Sequence, residues 1–258
     1  MNWNIDPVLL DLKIVKLRYY SLLFATGLFA AYFLVSKFLR EKGLPNDYPD
    51  KIFIRIVISL VIGAHLVHLI FYEPSAFIHN PMRIFEIGSG LASHGGVLGA
   101  LFGLWLFCHK YKESFFEIAD MIASSVGITG ACIRMGNFFN SEIIGRPTDV
   151  PWAITFLKVD NLPRHPTQLY EAIALFIMFP SFYFLYKKQK EKRKPGFFLF
   201  LFLGIYFMIR ILIEFVKEYQ SEMMAIRPTF TMGQWLSLPV VLISFYMVFL
   251  LRKPKLSN

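Results

Sequence analysis

The sequence predicts an all-α membrane protein of about seven transmembrane helices. Of its 258 residues, 55% are hydrophobic and 17% are charged, whereas a soluble globular domain carries nearer a quarter charged residues. The apolar residues gather in runs of about 20, the length at which a helix crosses the hydrocarbon core of a bilayer. Lys and Arg crowd into particular loops, which is a topology signal. We therefore expect one transmembrane domain over residues 1–258.

Seven apolar segments qualify as membrane spans. The fourth is the weakest by hydropathy, because ionisable residues lie at its ends. No short apolar segment with a small-residue cleavage site precedes the first span, so we expect no removable signal peptide. The predicted spans cover residues 18–39, 52–72, 91–109, 117–135, 167–187, 196–216 and 232–251.

The longest stretch without a span runs from 136 to 166 and is rich in Pro and Gly. We expect it to form a small folded or re-entrant head on one face of the membrane.

The basic residues predict the orientation of the chain. More than half of the 27 Lys and Arg lie in four regions, 37–51, 110–112, 187–194 and 252–255. The positive-inside rule assigns these loops to the cytoplasm. The N-terminus and the head are then periplasmic and the C-terminus cytoplasmic, which requires an odd number of spans. The net charge of +9 thus reflects topology, and no nucleic-acid partner is expected. The run 187–194 would also suit lipid headgroups or a partner.

Cysteine and histidine patterns predict neither a disulfide nor a metal site. Cys108 and Cys132 fall toward opposite ends of adjacent predicted helices. His65 and His68 have a spacing that suits a metal ion, but no third Cys, His or carboxylate completes the set.

The densest polar cluster lies at the outer end of the fourth span, over residues 134–146. It contains Arg134, Asn137, Glu142 and Gly145. The planar fork of an arginine matches phosphate oxygens, and glycine permits close backbone approach. This composition indicates a functional site. The simpler alternative is an Arg–Glu pair that pins the loop to the membrane surface.

A second polar stripe lies on span six, where Tyr206, Arg210 and Glu214 follow one another at four-residue spacing. This spacing puts them on one helical face, where Arg210 and Glu214 can pair. The pair is either structural or lines a polar cavity, since ionisable groups inside spans by default suggest function.

His94 precedes two glycines near the outer end of span three. Because the pKa of a free imidazole lies near neutrality, His94 is a candidate general base. The alternative is a hydrogen-bonded structural histidine. Near the inner start of span four, Glu117 and Asp120 are expected to complement the dipole of their own helix.

Taken in order, these motifs resemble those of prolipoprotein diacylglyceryl transferases. Residues 134–145 resemble the signature of that family, and five further segments resemble family segments in the same order. Departures occur at His65, Ser89, Ile133 and Lys217. The five segments are Tyr19-Tyr20-Ser21-Leu22, His94-Gly95-Gly96, the run from His165 to Glu171, the stripe of Tyr206, Arg210 and Glu214, and Thr231-Met232-Gly233-Gln234.

The resemblance implies a reaction that moves the diacylglyceryl group of phosphatidylglycerol to the lipobox cysteine thiol in the signal peptide of a preprolipoprotein. A thioether forms and glycerol 1-phosphate leaves. The resemblance implies neither a metal nor a soluble cofactor. It also implies a bacterial cytoplasmic (inner) membrane location, with seven helices, a periplasmic N-terminus and an active site toward the periplasm.

On this resemblance, Arg134 and Arg210 are expected to hold the lipid phosphate. His94 is the leading candidate for the base, and a role in positioning the substrate stays open. The remaining expected lipid-binding residues are Asn137, Glu142, Gly145, Tyr20, Tyr206 and Glu214.

Two other classes of function are compatible with buried Arg, Glu and His. One is a lipid transporter or flippase, although no inverted repeat or pair of broken helices is visible. The other is a receptor, scaffold or diverged paralogue without catalysis, in which the buried polar residues would be replaceable.

Overall fold

The computed structural model describes residues 1–13, 16–86, 90, 92–218 and 231–252. Ser89, Lys253 and Lys255 lie outside them. The described residues form eight α-helices: α1 Tyr19–Glu41, α2 Tyr48–Phe71, α3 Pro74–His79, α4 Ser93–Tyr111, α5 Phe115–Phe139, α6 Thr167–Gln189, α7 Phe197–Glu214 and α8 Met232–Leu251. Five short strands complete them: β1 Asn2–Trp3, β2 Val8–Asp11, β3 Lys16–Arg18, β4 Ile154–Phe156 and β5 Pro163–Arg164.

Six of the described helices are long and apolar enough to cross a membrane: α1, α2, α5, α6, α7 and α8. The protein is therefore a mostly helical, multi-pass membrane protein. The third predicted span forms as α4, but it is not among the six. Its ends carry His94, His109 and Lys110, and these polar side chains lower its hydropathy. The count of seven thus stays a prediction.

The fourth predicted span, α5, is the least hydropathic of the six, with a mean of 1.4. It is also the most enclosed, because 61% of its apolar window is buried, against 22–33% for the other five. A helix surrounded by protein does not need a lipid-compatible surface. This explains why α5 carries polar residues that a lipid-facing helix would exclude.

The chain packs as two compact units, residues 35–119 and residues 1–34 with 120–258. In the 35–119 unit, α2 and α4 cross at a stripe of small residues. A Cβ at Gly95 or Gly99 would collide with the carbonyl oxygens of Gly63 or Ser59. The space beside Gly95 is therefore filled by α2. His94 itself is exposed on the first turn of α4.

The two histidines of α2 anchor the segment that follows it. His65 Nε2 lies 3.1 Å from the Arg83 carbonyl oxygen, and His68 Nε2 lies 3.4 Å from the Glu73 carboxylate. Glu73 also pairs with Arg83 at 2.5 Å. Among the described residues, no three His, Cys, Asp or Glu form a group that would hold a metal ion. Cys108 and Cys132 are both buried and free.

The larger unit, residues 1–34 with 120–258, packs α6 and α7 against α5. Asp120 stabilises this packing at one end of α5. Its carboxylate accepts hydrogen bonds from the backbone N–H of Gly196 at 2.8 Å and of Leu199 at 2.7 Å. The sequence analysis assigned Asp120 to the dipole of its own helix. In the structure Asp120 instead caps the N-terminus of α7, where the first N–H groups lack partners within the helix.

At the other end of α5 lies a small head. Strand β4 pairs parallel with β1 and antiparallel with β5, and Trp3, Phe138 and Phe156 form its core. A second pair of strands, β2 and β3, forms an antiparallel ladder. The sequence predicts a small folded or re-entrant head but no strands, because runs of two to four residues are too short for a period-two signal.

Candidate functional site

The segment that follows α5 turns sharply and is held by the start of α6. Ser141 and Ile143 both have φ of 57°, a left-handed conformation that is costly for the β-branched Ile143. Thr167 donates to the Ile143 carbonyl oxygen at 2.7 Å, and Gln168 donates to the Glu142 carbonyl oxygen at 2.6 Å. These two bonds stabilise a turn that brings Glu142 back toward the last turn of α5.

A chain of polar contacts joins Arg134 to this turn. Arg134 Nη1 donates to Asn137 Oδ1 at 3.3 Å, and Asn137 Nδ2 donates to Glu142 Oε2 at 3.2 Å. Asn140 Nδ2 donates to the other Glu142 oxygen at 3.1 Å. The structure thus brings together Arg134, Asn137 and Glu142, as the sequence predicted. It joins them through amides and not through a direct Arg–Glu pair.

The ion pair of Arg134 is with Glu171 of α6. Arg134 Nε lies 2.6 Å from Glu171 Oε2, and the Glu171 side chain is only 3% exposed. The Arg134 guanidinium also interacts electrostatically with Tyr206 and Tyr20. Tyr20 packs against Gly136, where a Cβ would lie 2.6 Å from its ring. The predicted set of Arg134, Tyr20 and Tyr206 therefore converges around one guanidinium.

Lys217 extends the ion pair to the end of α7. Its Nζ lies 3.9 Å from Glu171 Oε1 and 3.8 Å from Glu214 Oε2. Burial lowers the pKa of Lys217, assisted by the positive charges of Arg210 and Arg134 and opposed by Glu171 and Glu214. Both predicted phosphate-binding arginines therefore act on the same buried ammonium group.

Glu214 takes partners other than the expected one. Among the described residues it makes no ion pair with Arg210. Its Oε1 accepts from the Thr231 hydroxyl at 3.1 Å, and Thr231 also caps α8 in a reciprocal arrangement with Gln234. The motif at 231–234 thus begins α8 and holds Glu214 in place. Arg210 is half-buried, and its guanidinium has no ion-pair partner within the described ranges.

A glycine is required at position 145 because neighbouring parts of the chain leave no space for a side chain. Its N–H donates to the His165 carbonyl oxygen at 2.9 Å, and it forms an antiparallel bridge with Lys217. A Cβ at this position would lie 2.7 Å from the Val216 carbonyl oxygen and 2.5 Å from His165 Cβ. The close approach expected of this glycine is therefore made by neighbouring backbone. A contact between Gly145 and the substrate stays a prediction.

The start of α6 carries a second polar group beside the head. Arg164 pairs with Asp160 at 2.5 Å and with Glu218 at 2.7 Å. The hydrogen bond from Arg164 lowers the pKa of Asp160, although burial opposes it. Nearby, the Tyr170 hydroxyl accepts from Trp152 at 2.8 Å and lies 3.0 Å from His165 Nδ1. Burial lowers the pKa of His165.

Several buried polar atoms near Glu142 have no hydrogen-bond partner among the described residues. They are Asn140 Oδ1, Ser141 Oγ and Gln168 Oε1. Buried polar atoms are nearly always satisfied by protein, water or ligand. Water or another polar group from outside the chain is therefore expected at these atoms.

Sequence reasoning missed Glu171 and Lys217 as members of this cluster. Glu171 closes the motif that opens α6, but that motif entered the sequence analysis only through the family resemblance. Lys217 stood out only as a departure from the family pattern. The available signal was a carboxylate in the first turns of an apolar helix, where a charge is costly unless it is paired. His94 belongs to the 35–119 unit, and its role as a base stays a prediction.

Comparison with known proteins gives a consistent result over nearly the whole chain. Residues 7–250 match the family model for prolipoprotein diacylglyceryl transferase. A phosphatidylglycerol–prolipoprotein diacylglyceryl transferase of Bacteroides fragilis is 42% identical over 99% of this chain and 96% of its own length. Enzymes with the same name from Tolumonas auensis and Chloroherpeton thalassium are 41% and 37% identical, over 98% and 96% of this chain and 98% and 92% of their own lengths.

The matched region includes both the polar cluster around Arg134 and the helices that position it. These matches extend over nearly the whole chain, so the similarity concerns the whole fold and not a single motif. The chain therefore belongs to the prolipoprotein diacylglyceryl transferase family.

Proposed function

We propose that the protein transfers the diacylglyceryl group of phosphatidylglycerol to the lipobox cysteine thiol of a preprolipoprotein. The observation that carries this proposal is the buried cluster of Arg134, Lys217, Glu171 and Glu214, with Arg210 nearby, beside the head. The relatives bear that activity in their names. In this chain the cluster has the chemistry that the reaction needs.

The reaction displaces a phosphate from carbon. The cysteine must lose its proton to become a nucleophilic thiolate. A sulfur–carbon bond then forms at the glyceryl carbon while the bond from that carbon to the phosphate oxygen breaks. The phosphodiester becomes the monoester glycerol 1-phosphate, and the thiol proton passes to a base and then to solvent or the product. Negative charge thus develops on the leaving phosphate.

Cationic donors held beside that phosphate would stabilise the charge as it develops. Arg134 has five N–H donors, more than its contacts with Glu171, Asn137 and Tyr206 require. Arg210 is half-buried and has no described carboxylate partner. A monoanionic phosphodiester would supply the anionic partner that Arg210 lacks among the described residues.

His94 is our candidate for the group that takes the thiol proton, with substrate positioning as the alternative role. Its ring lies at the exposed start of α4 in the 35–119 unit. A neutral imidazole is suited to this step near neutral pH.

We further propose seven spans, with α4 as the seventh, in the bacterial cytoplasmic membrane. The odd count is compatible with a periplasmic N-terminus and a cytoplasmic C-terminus. The head of residues 136–166 and the Arg134 cluster would then face the periplasm, and residues 1–258 would act as one transmembrane domain. Phosphatidylglycerol and the lipobox signal peptide would meet at this outer side.

A defined assay tests the function. Purified protein in detergent is mixed with phosphatidylglycerol and a lipobox peptide, and the peptide mass is followed. We expect a gain of one diacylglyceryl unit with wild type and none with Arg134→Ala. Phosphatidylethanolamine serves as the lipid control, and a peptide with serine in place of the cysteine as the nucleophile control. Lipid movement in vesicles without a mass change in the peptide would indicate a flippase instead.

A further inference from the structure

Glu171 of α6 is almost fully buried although it is a carboxylate. Its side chain is 3% exposed, and its two oxygens contact two different cations, Arg134 and Lys217. Burying such ions is costly, and packed apolar side chains of similar volume are often as stable or more so. An ion pair kept at this position therefore points to a role beyond stability.

Glu171 contacts Arg134 through one edge of the guanidinium. The Nε atom lies against Glu171 Oε2, and Nη1 donates to Asn137. The first contact is ionic and the second is a hydrogen bond, and together with the interaction with Tyr206 they hold the guanidinium group beside the turn at Glu142. The N–H groups that these contacts do not use would be available to a phosphate, which arginine binds with two parallel hydrogen bonds.

Lys217 holds the other oxygen of Glu171, and its own backbone is held by the head. Arg146 Nε donates to the Lys217 carbonyl oxygen at 3.1 Å, and the Arg146 N–H donates to the Val216 carbonyl oxygen at 2.9 Å. The bridge between Gly145 and Lys217 lies beside them. The head thereby fixes the position from which the ammonium group reaches Glu171 and Glu214.

We infer that Glu171 and Lys217 form one positioning unit, which orients the Arg134 guanidinium toward the phosphate of the lipid substrate. The inference rests on the proposed function and adds two positioning residues to it. Lys217 neutralises and steadies Glu171, and Glu171 in turn holds Arg134. Neither residue needs to touch the reacting atoms.

The first arm of the test compares single variants. Glu171→Gln keeps the shape but removes the charge, and Lys217→Met keeps much of the stem but removes the ammonium. Each is expected to lower kcat about 100-fold, the size of effect that a misplacement of about 1 Å produces. Lys217→Arg should restore most of the activity. The matched control is Glu191→Gln, the same change at an exposed residue, which should leave kcat and KM within about twofold.

The second arm is the double variant Glu171→Gln with Lys217→Met, which leaves Arg134 without its ionic partner but creates no new unpaired charge at Lys217. If the two residues act as a unit, the double variant loses no more activity than the worse single variant. If they act separately, the two losses multiply, which would overturn the inference. Single variants with wild-type kcat would overturn it as well. Thermal unfolding and elution in detergent identify variants that fail to fold.

A binding measurement separates this inference from the proposed function. Native mass spectrometry reports how much phosphatidylglycerol stays bound relative to phosphatidylcholine. If the wild-type protein transfers nothing, the proposed function is wrong. The inference on Glu171 and Lys217 would still predict weaker phosphatidylglycerol retention in both single variants. Unchanged phosphatidylglycerol retention in the two single variants would reject the positioning unit.

Discussion

The two ends of helix α5 carry buried polar residues of opposite character. At one end Asp120 accepts two hydrogen bonds from backbone N–H groups of α7. At the other end Arg134 contacts side chains that are themselves charged or polar, and buried polar atoms nearby have no described partner. A buried charge satisfied by backbone holds helices together. A charge held by other side chains, with donors to spare, is available to a ligand.

The largest effect should come from the arginine without a described carboxylate partner. We expect Arg210→Ala to lower diacylglyceryl transfer by roughly 100- to 1,000-fold or more, because a donor aimed at developing charge is lost. Membrane insertion and thermal unfolding should change little. The measurement is peptide mass gain per folded molecule, with Arg252→Ala at an exposed site as the matched control. Full activity in Arg210→Ala would remove Arg210 from the site.

Asp120→Ala should show the reverse pattern, losing stability and keeping activity. Each buried N–H left without a partner costs about 1–3 kcal/mol, and two are orphaned here. The melting temperature in detergent should therefore fall, whereas kcat per folded molecule should stay within about twofold. Asp120→Asn, which retains one acceptor, should fall less. If Asp120→Ala instead abolished transfer without lowering the melting temperature, the contrast between the two ends of α5 would be wrong.

A smaller effect is expected when the pH is lowered, because protonation of Asp160 destabilises the head. Arg164 keeps the pKa of Asp160 below its ordinary value, so the unfolded chain binds a proton more readily than the folded one. The resulting stability is present above the ordinary Asp pKa of about 4 and is lost as pH falls through the lower folded value. Melting temperature measured between pH 3 and 7 should fall less steeply in Asp160→Asn than in wild type. Asp149→Asn, at an exposed head residue, should follow the wild-type curve.

Helix positions were predictable from the sequence because each span must be apolar over a bilayer's thickness. The predicted 167–187 and 232–251 correspond to α6 at Thr167–Gln189 and α8 at Met232–Leu251. The predicted 91–109 corresponds to α4 at Ser93–Tyr111. Whether α4 crosses the membrane is not decided by hydropathy, because its polar ends and glycines lower its mean hydropathy.

Much of the candidate site was also visible in the sequence, since ionisable residues in apolar segments are rare. Arg134, Asn137 and Glu142 stood out as part of a dense polar cluster at the end of an apolar segment, and the structure joins them. Their partners were harder to predict. Glu171 is 37 positions from Arg134 along the chain, and no local spacing rule relates residues on different helices.

The sequence by itself determined that this is a helical membrane protein with polar groups gathered beside a small head. That information is local, because span length and hydropathy depend on neighbouring residues alone. Only the tertiary structure decided that Asp120 caps α7, that Gly145 makes room for backbone, and that Glu171 links Arg134 to Lys217. Each of these depends on which helices and loops pack together, and a buried charge takes the partner that the packing supplies.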